Sequence, residues 1–185
     1  MDVLYSRLLK EDFSQLPALV QHFHLRTGRC WRGRSAVVWS ASPMLQFLLR
    51  LTNLPRAGSD IPLEVMVELR GQTEIWFRSF AGRSMRSDQR LSRRGLHEIA
   101  GPWGLDLACT VQDGGLVLRS RATRFLGLPL PTCVGLAVEG KEWENGGSFH
   151  FDVSIGFRLG RRIFPLLHYL GWLLPDSGGI QDAHR

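Results

Sequence analysis

Residues 63–80 read LEVMVELRGQTEIWFRSF, two runs of strand-like sequence joined at a Gly-Gln pair (71–72). Alternate side chains of a β-strand point to the same face, and a glycine between two such runs favours a tight turn, so this stretch predicts a β-hairpin. Its second strand would carry Trp76, Arg78 and Phe80 on one face. A guanidinium between two large aromatic rings is unusual in an ordinary core. The pattern predicts either an exposed stacking surface or the wall of a pocket that holds one fixed positive charge.

The chain on either side of this hairpin continues in short segments that are separated by turn signals. Glycine pairs at 114–115 and 146–147 follow Asp and Asn, which favours hairpin turns. The Arg-rich stretch at 83–94 is expected to form a twisted edge strand. Residues 159–174 contain Pro165 and Gly171, which favour an extended segment over a helix. Some eight or nine short strands therefore predict a strongly curved antiparallel sheet or an incomplete β-barrel around a pocket.

Helical signals are confined to the first third of the chain. Leucine and phenylalanine recur at helical spacing over residues 2–25, with an interruption near Pro17, which predicts one or two short helices. A further helix is predicted over 42–55, because Pro43 suits a first helical position and Pro55 ends the pattern. The fold class is therefore α+β, mainly antiparallel β, with N-terminal helices. No linker divides residues 1–185, so we expect one domain with a flexible tail at 175–185.

Composition sets limits on the partners of this chain. Its 185 residues carry a formal net charge of +6, and arginine supplies nearly all of the positive charge because lysine occurs only at Lys10 and Lys141. An arginine surplus fits anionic partners, although a general compositional preference for arginine would give the same count. The basic stretch at 83–94 lacks any recognised nucleic-acid-binding motif, so nucleic acid is a poor candidate. A membrane-surface role is the alternative, with 163–174 as its apolar element.

The cellular compartment is predicted from cysteine usage and from the N-terminus. The three cysteines are far apart in sequence and form no CxxC pair, which argues against a disulfide framework or a zinc site. The N-terminus lacks the apolar core of a signal peptide, and the longest apolar run (163–175) is too short to cross a bilayer. We therefore expect a soluble, cytoplasmic protein without a metal or other cofactor.

Several stretches together resemble a bacterial family of domains of unknown function, the one numbered 4166. They include the opening LYSRLLKEDFSQLPALVQHFH and EIWFRSFAGRSMRS, GLHEIAGPWGLDLACTVQDGGLVLR, FLGLPLP and PLLHYLGWL, which together span roughly residues 4–174. Some members are joined to an oxidoreductase-like domain related to saccharopine dehydrogenases, so the resemblance implies a place in small-molecule metabolism. This chain lacks a strand–GxGxxG–helix unit, so nucleotide binding does not carry over. The resemblance marks the following matching residues without giving them roles: Trp76, Arg78, Phe80, Glu98, Pro129 and Tyr169.

Arg78 has two interpretations. Inside a curled sheet, it would bind a carboxylate, phosphate or enolate in surroundings of low dielectric constant. Alternatively, it forms a structural salt bridge with Glu98, or with Glu64 or Glu68 on the neighbouring run, because buried charges need partners. The two interpretations are compatible, since an Arg–Glu pair within a pocket is also a candidate acid/base site.

Two further segments offer candidate proton-transfer groups. His97 and Glu98 must lie on opposite strand faces, and Glu98 shares its face with apolar Leu96, where a carboxylate could act as general acid or base. In the alternating run FHFDVSIGF (149–157), His150 and Asp152 share a face and resemble a His–Asp relay. The alternative for Glu98 is a carboxylate bonded to Arg78 or to turn amides, and the alternative for His150 and Asp152 is a solvated outer strand face.

The HFH triplet at 22–24 is the nearest approach to a metal motif. Helical residues two apart do not share a face, and no further ligand follows at a suitable spacing. We expect His24 to end a helix and to bond a backbone carbonyl.

The residues support one leading functional hypothesis and two alternatives. The leading one is a binding domain for a small, largely apolar molecule with an acidic group, with Trp76, Arg78, Phe80 and Tyr169 as ligand-binding residues. The first alternative is a cofactor-independent isomerase or cyclase in the same pocket, in which Glu98 or His150 moves a proton. The second is an accessory partner of an oxidoreductase, by analogy with the fusions of the family. Whether the protein is an enzyme stays open at this level.

Overall fold

The structure is a computed structural model that describes residues 3–25, 27–50 and 54–176. The flexible tail that was predicted for 175–185 lies outside the described residues from 177 onwards. The described chain begins with three helical segments and continues, apart from one further helix, almost entirely in β-strands. The helical segments are α1 (Leu4–Leu9), a 3₁₀ helix (Lys10–Gln15), α2 (Ala18–Leu25) and α3 (Pro43–Arg50).

Ten strands form a closed antiparallel barrel. Each strand pairs with its neighbour in the order β6-β5-β4-β3-β2-β1-β11-β10-β9-β7, and pairing between β7 and β6 closes the ring. The two-residue β8 pairs only with the end of β7. The strands are β1 (Cys30–Trp39), β2 (Gly58–Arg70), β3 (Thr73–Phe80), β4 (Arg83–Ser92), β5 (Gly95–Ala100), β6 (Trp103–Gln112), β7 (Gly115–Phe125), β8 (Leu128–Pro129), β9 (Val134–Asn145), β10 (Ser148–Leu159) and β11 (Arg162–Pro175).

The predicted fold class is confirmed, and the structure extends it from an incomplete to a closed barrel. The predicted hairpin turns are also confirmed, at 71–72, 113–114 and 146–147. The stretch 83–94 is not an edge strand, because β4 pairs with β3 on one side and β5 on the other. Local sequence could not reveal this pairing, since an arginine-rich outer face suits an inner strand of a barrel as well as an edge.

The last strand is extended, as the sequence predicts, because its irregular residues occupy positions that a barrel tolerates. Pro165 lies at a β-bulge, where the register between β10 and β11 shifts and a missing N–H is tolerated. Gly171 lies where β1 approaches closely, so that a Cβ atom there would collide with the backbone of Arg34. These two positions bend the strand around the barrel without interrupting its pairing.

The two ends of the barrel differ, and the names closed end and open end are used for them below. At the closed end, α1 and α2 insert their apolar side chains among the strands, near the turns at 71–72, 113–114 and 146–147. At the open end lie α3, the tight turns β3–β4, β5–β6 and β10–β11, and the loop between β7 and β9. The core is therefore densest at the closed end, and the space beneath α3 is left for a cavity.

Candidate functional site

A cavity of about 890 Å³ occupies the barrel interior between the two ends. Tyr5 of α1 lines it near the closed end, and Leu45 and Leu49 of α3 line it at the open end. Most of the wall consists of leucine, isoleucine, valine and aromatic side chains from the inner strand faces. Its size and its mainly apolar wall are typical of small-molecule sites.

Strand β3 contributes the first polar part of the wall. The inner face of this strand carries Glu74, Trp76, Arg78 and Phe80, as the alternation of the sequence predicts. Trp76 and Arg78 line the cavity, and the Arg78 guanidinium carbon lies 4.8 Å from the centroid of the Trp76 ring. Phe80 is buried beside the cavity and packs its ring edge-on against Tyr169 at 5.6 Å. The side chains that the hairpin pattern placed on one face are therefore neighbours inside the barrel.

Arg78 and Glu98 form an ion pair inside the cavity. Their side chains are 17% and 15% exposed, and Arg78 Nη2 lies 3.7 Å from Glu98 Oε1. Arg78 Nη1 donates a hydrogen bond to Ser87 Oγ at 2.9 Å. A separation of 3.7 Å is too long for a hydrogen bond, so the carboxylate balances the guanidinium charge without engaging its N–H groups closely. The predicted salt bridge between Arg78 and Glu98 is therefore present, and the pair lines the cavity.

Tyr169 supplies a hydroxyl to the same cavity. Its side chain is buried on the inner face of β11 and lines the cavity wall. Burial raises the pKa of Tyr169; the nearby Arg78 charge opposes this rise, and the carboxylates of Glu98 and Glu142 add to it. The phenol therefore stays protonated at neutral pH and can donate a hydrogen bond to a ligand oxygen.

His150 does not belong to this group. It lies on the outer face of β10, opposite the inward Phe149 and Phe151, and its ring stacks on Trp143 at a centroid distance of 5.6 Å. The strand alternation put His150 on the polar face, and the barrel turns that face outwards. A proton-transfer role for His150 in the cavity therefore does not fit its position.

Asp152, the suggested relay partner of His150, contacts a different histidine. Asp152 Oδ1 lies 2.8 Å from Nε2 of His168 on the neighbouring strand, and both side chains are more than one third exposed. The outer hollow beside them, of about 500 Å³, also contains Arg119 and Glu139, which pair at 2.9 Å. These groups form exposed ion pairs on the barrel wall, which contribute little to binding or stability.

His97 and Glu98 lie on opposite faces, as expected, and Glu98 is the one that faces the cavity. On the outer face, His97 Nδ1 lies 2.7 Å from Asp106 Oδ1, and Arg124 donates to the same oxygen at 2.9 Å. Burial alone would raise the pKa of Asp106, but the bonds from Arg124 and His97 outweigh it and lower the pKa. This cluster connects β5, β6 and β7 and is separate from the cavity.

Polar residues near the closed end of the cavity are absent from the sequence-based set. Tyr5 donates a hydrogen bond from its hydroxyl to Gln89 Oε1 at 3.0 Å, and His24 Nε2 lies 2.6 Å from Glu142 Oε2. The expectation that His24 bonds a backbone carbonyl is wrong, because α2 lies inside the barrel and brings the ring against β9. Glu142 alternates in phase with Leu136, Val138 and Gly140 along β9, so these residues share one strand face. This alternation could identify Glu142 as inward only after the concave face of the sheet was known.

Two further properties of the described residues concern metal binding and membrane-spanning helices. Within 3–25, 27–50 and 54–176, no group of three or more His, Cys, Asp or Glu side chains is arranged to hold a metal ion. No helix in the same ranges is long and apolar enough to cross a membrane. The polar groups that line the cavity include Arg78, Glu98, Tyr169 and the groups around Tyr5.

Comparison with known proteins agrees with the resemblance drawn from the motifs. Curated proteins yield no significant match. A family profile described as Domain of unknown function (DUF4166) matches residues 16–173, a range that contains the whole barrel except the last two residues of β11. The match begins after α1, so the opening segment that also resembled the family lies largely before it. Because the profile spans most of the chain, this protein belongs to the DUF4166 family.

Proposed function

We propose that the barrel binds one small, largely apolar molecule that carries an acidic group, with this group at Arg78. The observation that supports this proposal is the cavity itself: about 890 Å³ of mainly apolar wall that includes the Arg78 guanidinium. An apolar cavity of this size favours a ligand with an apolar body. A guanidinium of which only 17% is exposed favours an anionic or strongly polar head group.

The spacing around Arg78 supports a ligand that competes with Glu98. The 3.7 Å contact leaves the guanidinium electrostatically balanced but not closely hydrogen-bonded to the carboxylate. A ligand carboxylate that approached within hydrogen-bond distance would gain two-point contact with the planar guanidinium. The Tyr169 hydroxyl would donate a further bond. Repulsion between Glu98 and the ligand acid would moderate the affinity, which suits a protein that must also release its ligand.

An isomerase or cyclase that uses the same cavity is the second candidate, and the position of Glu98 favours it. A carboxylate that is 15% exposed in an apolar cavity can accept a proton from a bound ligand, while Arg78 beside it stabilises the negative charge that develops. In this function Glu98 is essential, whereas in simple binding it is a competitor of the ligand. The two functions therefore predict opposite effects of the same substitution.

The first experiment is native mass spectrometry of the protein purified from its own host, followed by extraction of any bound molecule. A co-purifying acidic, apolar molecule that is lost from Arg78→Met supports the binding function and provides a candidate substrate. Protein that carries no such molecule and is recovered with an oxidoreductase subunit would contradict it and favour the accessory role.

Titration with a fluorescent long-chain fatty acid then separates the two candidates. We expect Arg78→Met to weaken binding by roughly tenfold to a hundredfold, the usual cost of losing a charged hydrogen bond. Glu98→Gln should bind equally well or more tightly. Arg70→Met is the matched control, because Arg70 lies exposed on the outer face of β2 and pairs with Glu68 there. Equal affinities for Arg78→Met and Arg70→Met would contradict the proposal. Turnover of the extracted molecule that Glu98→Gln abolishes would establish the enzyme instead.

A further inference from the structure

Several large apolar side chains are exposed to solvent at the open end of the barrel. Leu126 and Leu128, in and next to the loop after β7, are 71% and 70% exposed. Met44 and Phe47 of α3 are more than half exposed, and so are residues of the β10–β11 hairpin. Single exposed leucines are common on protein surfaces, but a group of them at one end of a molecule marks an interaction site. The apolar rim is defined here by Met44, Phe47, Leu126, Leu128, Leu159 and Ile163.

Hydrogen bonds join the segments of this rim into a continuous surface. Leu126 N donates to Pro102 O at 2.8 Å, which joins the loop after β7 to the β5–β6 turn. Gly160 N donates to Cys133 O at 2.7 Å, which joins the β10–β11 turn to the other side of the same loop. Next to α3, Ser40 N donates to Leu166 O at 2.9 Å. The apolar side chains thus belong to one rim around the cavity mouth.

The rim also has a surplus of arginine. Its segments carry one nearby carboxylate, Asp60 at the start of β2, which pairs with Arg34 at 3.3 Å, and the following arginines: Arg50, Arg56, Arg83, Arg158, Arg161 and Arg162. Arg161 lies in the β10–β11 turn, Arg162 begins β11 directly after it, and Arg50 ends α3. The closed end, by contrast, carries carboxylates such as Glu11, Asp113 and Glu144 among its basic groups. A partner of the rim must therefore be both apolar and negatively charged.

We propose that the open-end rim docks onto an anionic lipid surface. Leucine, phenylalanine and methionine side chains would enter the boundary between head groups and acyl chains, and the arginines would contact lipid phosphates. A second copy of the chain fits less well, because two rims of the same positive charge would repel each other. A membrane partner explains the apolar and the basic character together.

The geometry of α3 connects this surface to the cavity. Leu45 and Leu49, one turn apart, line the cavity, and the exposed Met44 also borders it, whereas Phe47 lies on the exposed side of the helix. Docking would therefore place the cavity mouth, with α3 beside it, against the bilayer. An amphipathic ligand could then pass between the bilayer and the cavity without crossing water. This consequence rests on the proposed binding function, but the docking itself does not.

Vesicle flotation tests the docking directly. The full chain is mixed with vesicles of phosphatidylcholine alone or of phosphatidylcholine and phosphatidylserine in equal parts. We expect binding to the anionic vesicles only, with a loss at high salt. Leu126→Ser with Leu128→Ser should weaken binding about tenfold or more, since two apolar side chains would no longer pass from water into the bilayer. Leu170→Ser with Leu174→Ser, on the outer wall, is the matched control. Thermal unfolding of all variants verifies that they remain folded.

A second pair of variants tests the charge. Arg161→Gln with Arg162→Gln removes an arginine pair from a hairpin turn of the rim, and Arg93→Gln with Arg94→Gln removes one from a hairpin turn at the closed end. Only the first should reduce binding to anionic vesicles, by about tenfold. Absence of vesicle binding, equal losses in both pairs, or rim-dependent self-association measured by light scattering would overturn the proposal. Arg78→Met should bind vesicles like the wild type, so failure of the docking and failure of the ligand-binding proposal are distinguishable.

Discussion

The closed and open ends of the barrel are built from the same alternating strands, yet they use apolar side chains in opposite ways. At the closed end, the Phe23 ring of α2 stacks on Phe149 at 4.1 Å and lies 4.9 Å from Trp31, and all three side chains are buried. At the open end, α3 leaves Phe47 61% exposed and has the cavity behind it. One end excludes water by dense packing, and the other is left unfilled.

This difference separates the part of the molecule that stabilises the fold from the part that we propose to bind a ligand and a surface. Apolar burial is the main source of folding free energy, so the packed closed end contributes more of it than the cavity region. A cavity and an exposed rim reduce stability and are expected where a ligand or a surface must be received. Substitutions at the two ends should therefore have different consequences, and three further measurements can test that.

The largest effect is expected from truncating the aromatic cluster at the closed end. Phe23→Ala should lower the free energy of unfolding by about 3–5 kcal/mol, because it leaves a cavity among rings that cannot collapse to fill it. The matched substitution at the open end, Phe47→Ala, should cost less than about 0.5 kcal/mol. Urea unfolding of both variants measures the difference. Equal costs would show that α3 contributes to the core as much as α2 does.

A smaller contrast is expected between two cysteines. Burial, together with the carboxylates of Glu142 and Glu98, raises the pKa of Cys109 to about 12. Cys133 is exposed in the loop at the open end. Since the thiolate is the reacting form, iodoacetamide at mildly alkaline pH should modify Cys109 about a hundredfold more slowly than Cys133, or slower still. Peptide mass spectrometry measures both rates in one sample. Similar rates would mean that the reagent enters the barrel freely.

The smallest effect concerns the pH dependence of stability at the closed end. Glu74 is buried and accepts a hydrogen bond from the backbone N–H of Leu4 at 3.2 Å. Burial raises the pKa of Glu74, although the nearby His24 and the Leu4 bond oppose this rise. The folded state thus keeps the Glu74 proton to higher pH than the unfolded state, in which glutamate has a pKa of about 4.3. The contribution of protonated Glu74 to the free energy of unfolding is complete below the pKa of the unfolded state. It is lost as the pH rises through the pKa of Glu74 in the folded state.

Glu74→Gln removes this titration while it keeps an acceptor for Leu4. Its unfolding free energy should fall less steeply than that of the wild type as the pH rises above about 4.3. Glu68→Gln, on the neighbouring strand and much more exposed, controls for the loss of one negative charge. Parallel pH profiles for Glu74→Gln and the wild type would show that this carboxyl does not couple folding to pH.

The candidate site was predictable in its parts but not in its assembly. Strand alternation grouped Trp76 with Arg78 and separated Glu98 from His97, and the structure agrees with both. The same alternation could not decide that His150 faces outwards, because period-two patterning shows that residues share a face and not which face is concave. It also missed Tyr5, which reaches the cavity only because α1 inserts into the end of the barrel.

The sequence by itself determined the antiparallel strands, the glycine turns between them and the residues that share each strand face, since these depend on contacts between near neighbours in the chain. The tertiary structure decided the closure of β7 on β6, the inward direction of Arg78 and Glu98, and the contrast between the two ends. Closure depends on hydrogen bonds between strands, and the cavity depends on how the inner faces of ten strands and three α-helices fill a common volume. Such a volume is a property of the whole chain, so no local pattern contains it.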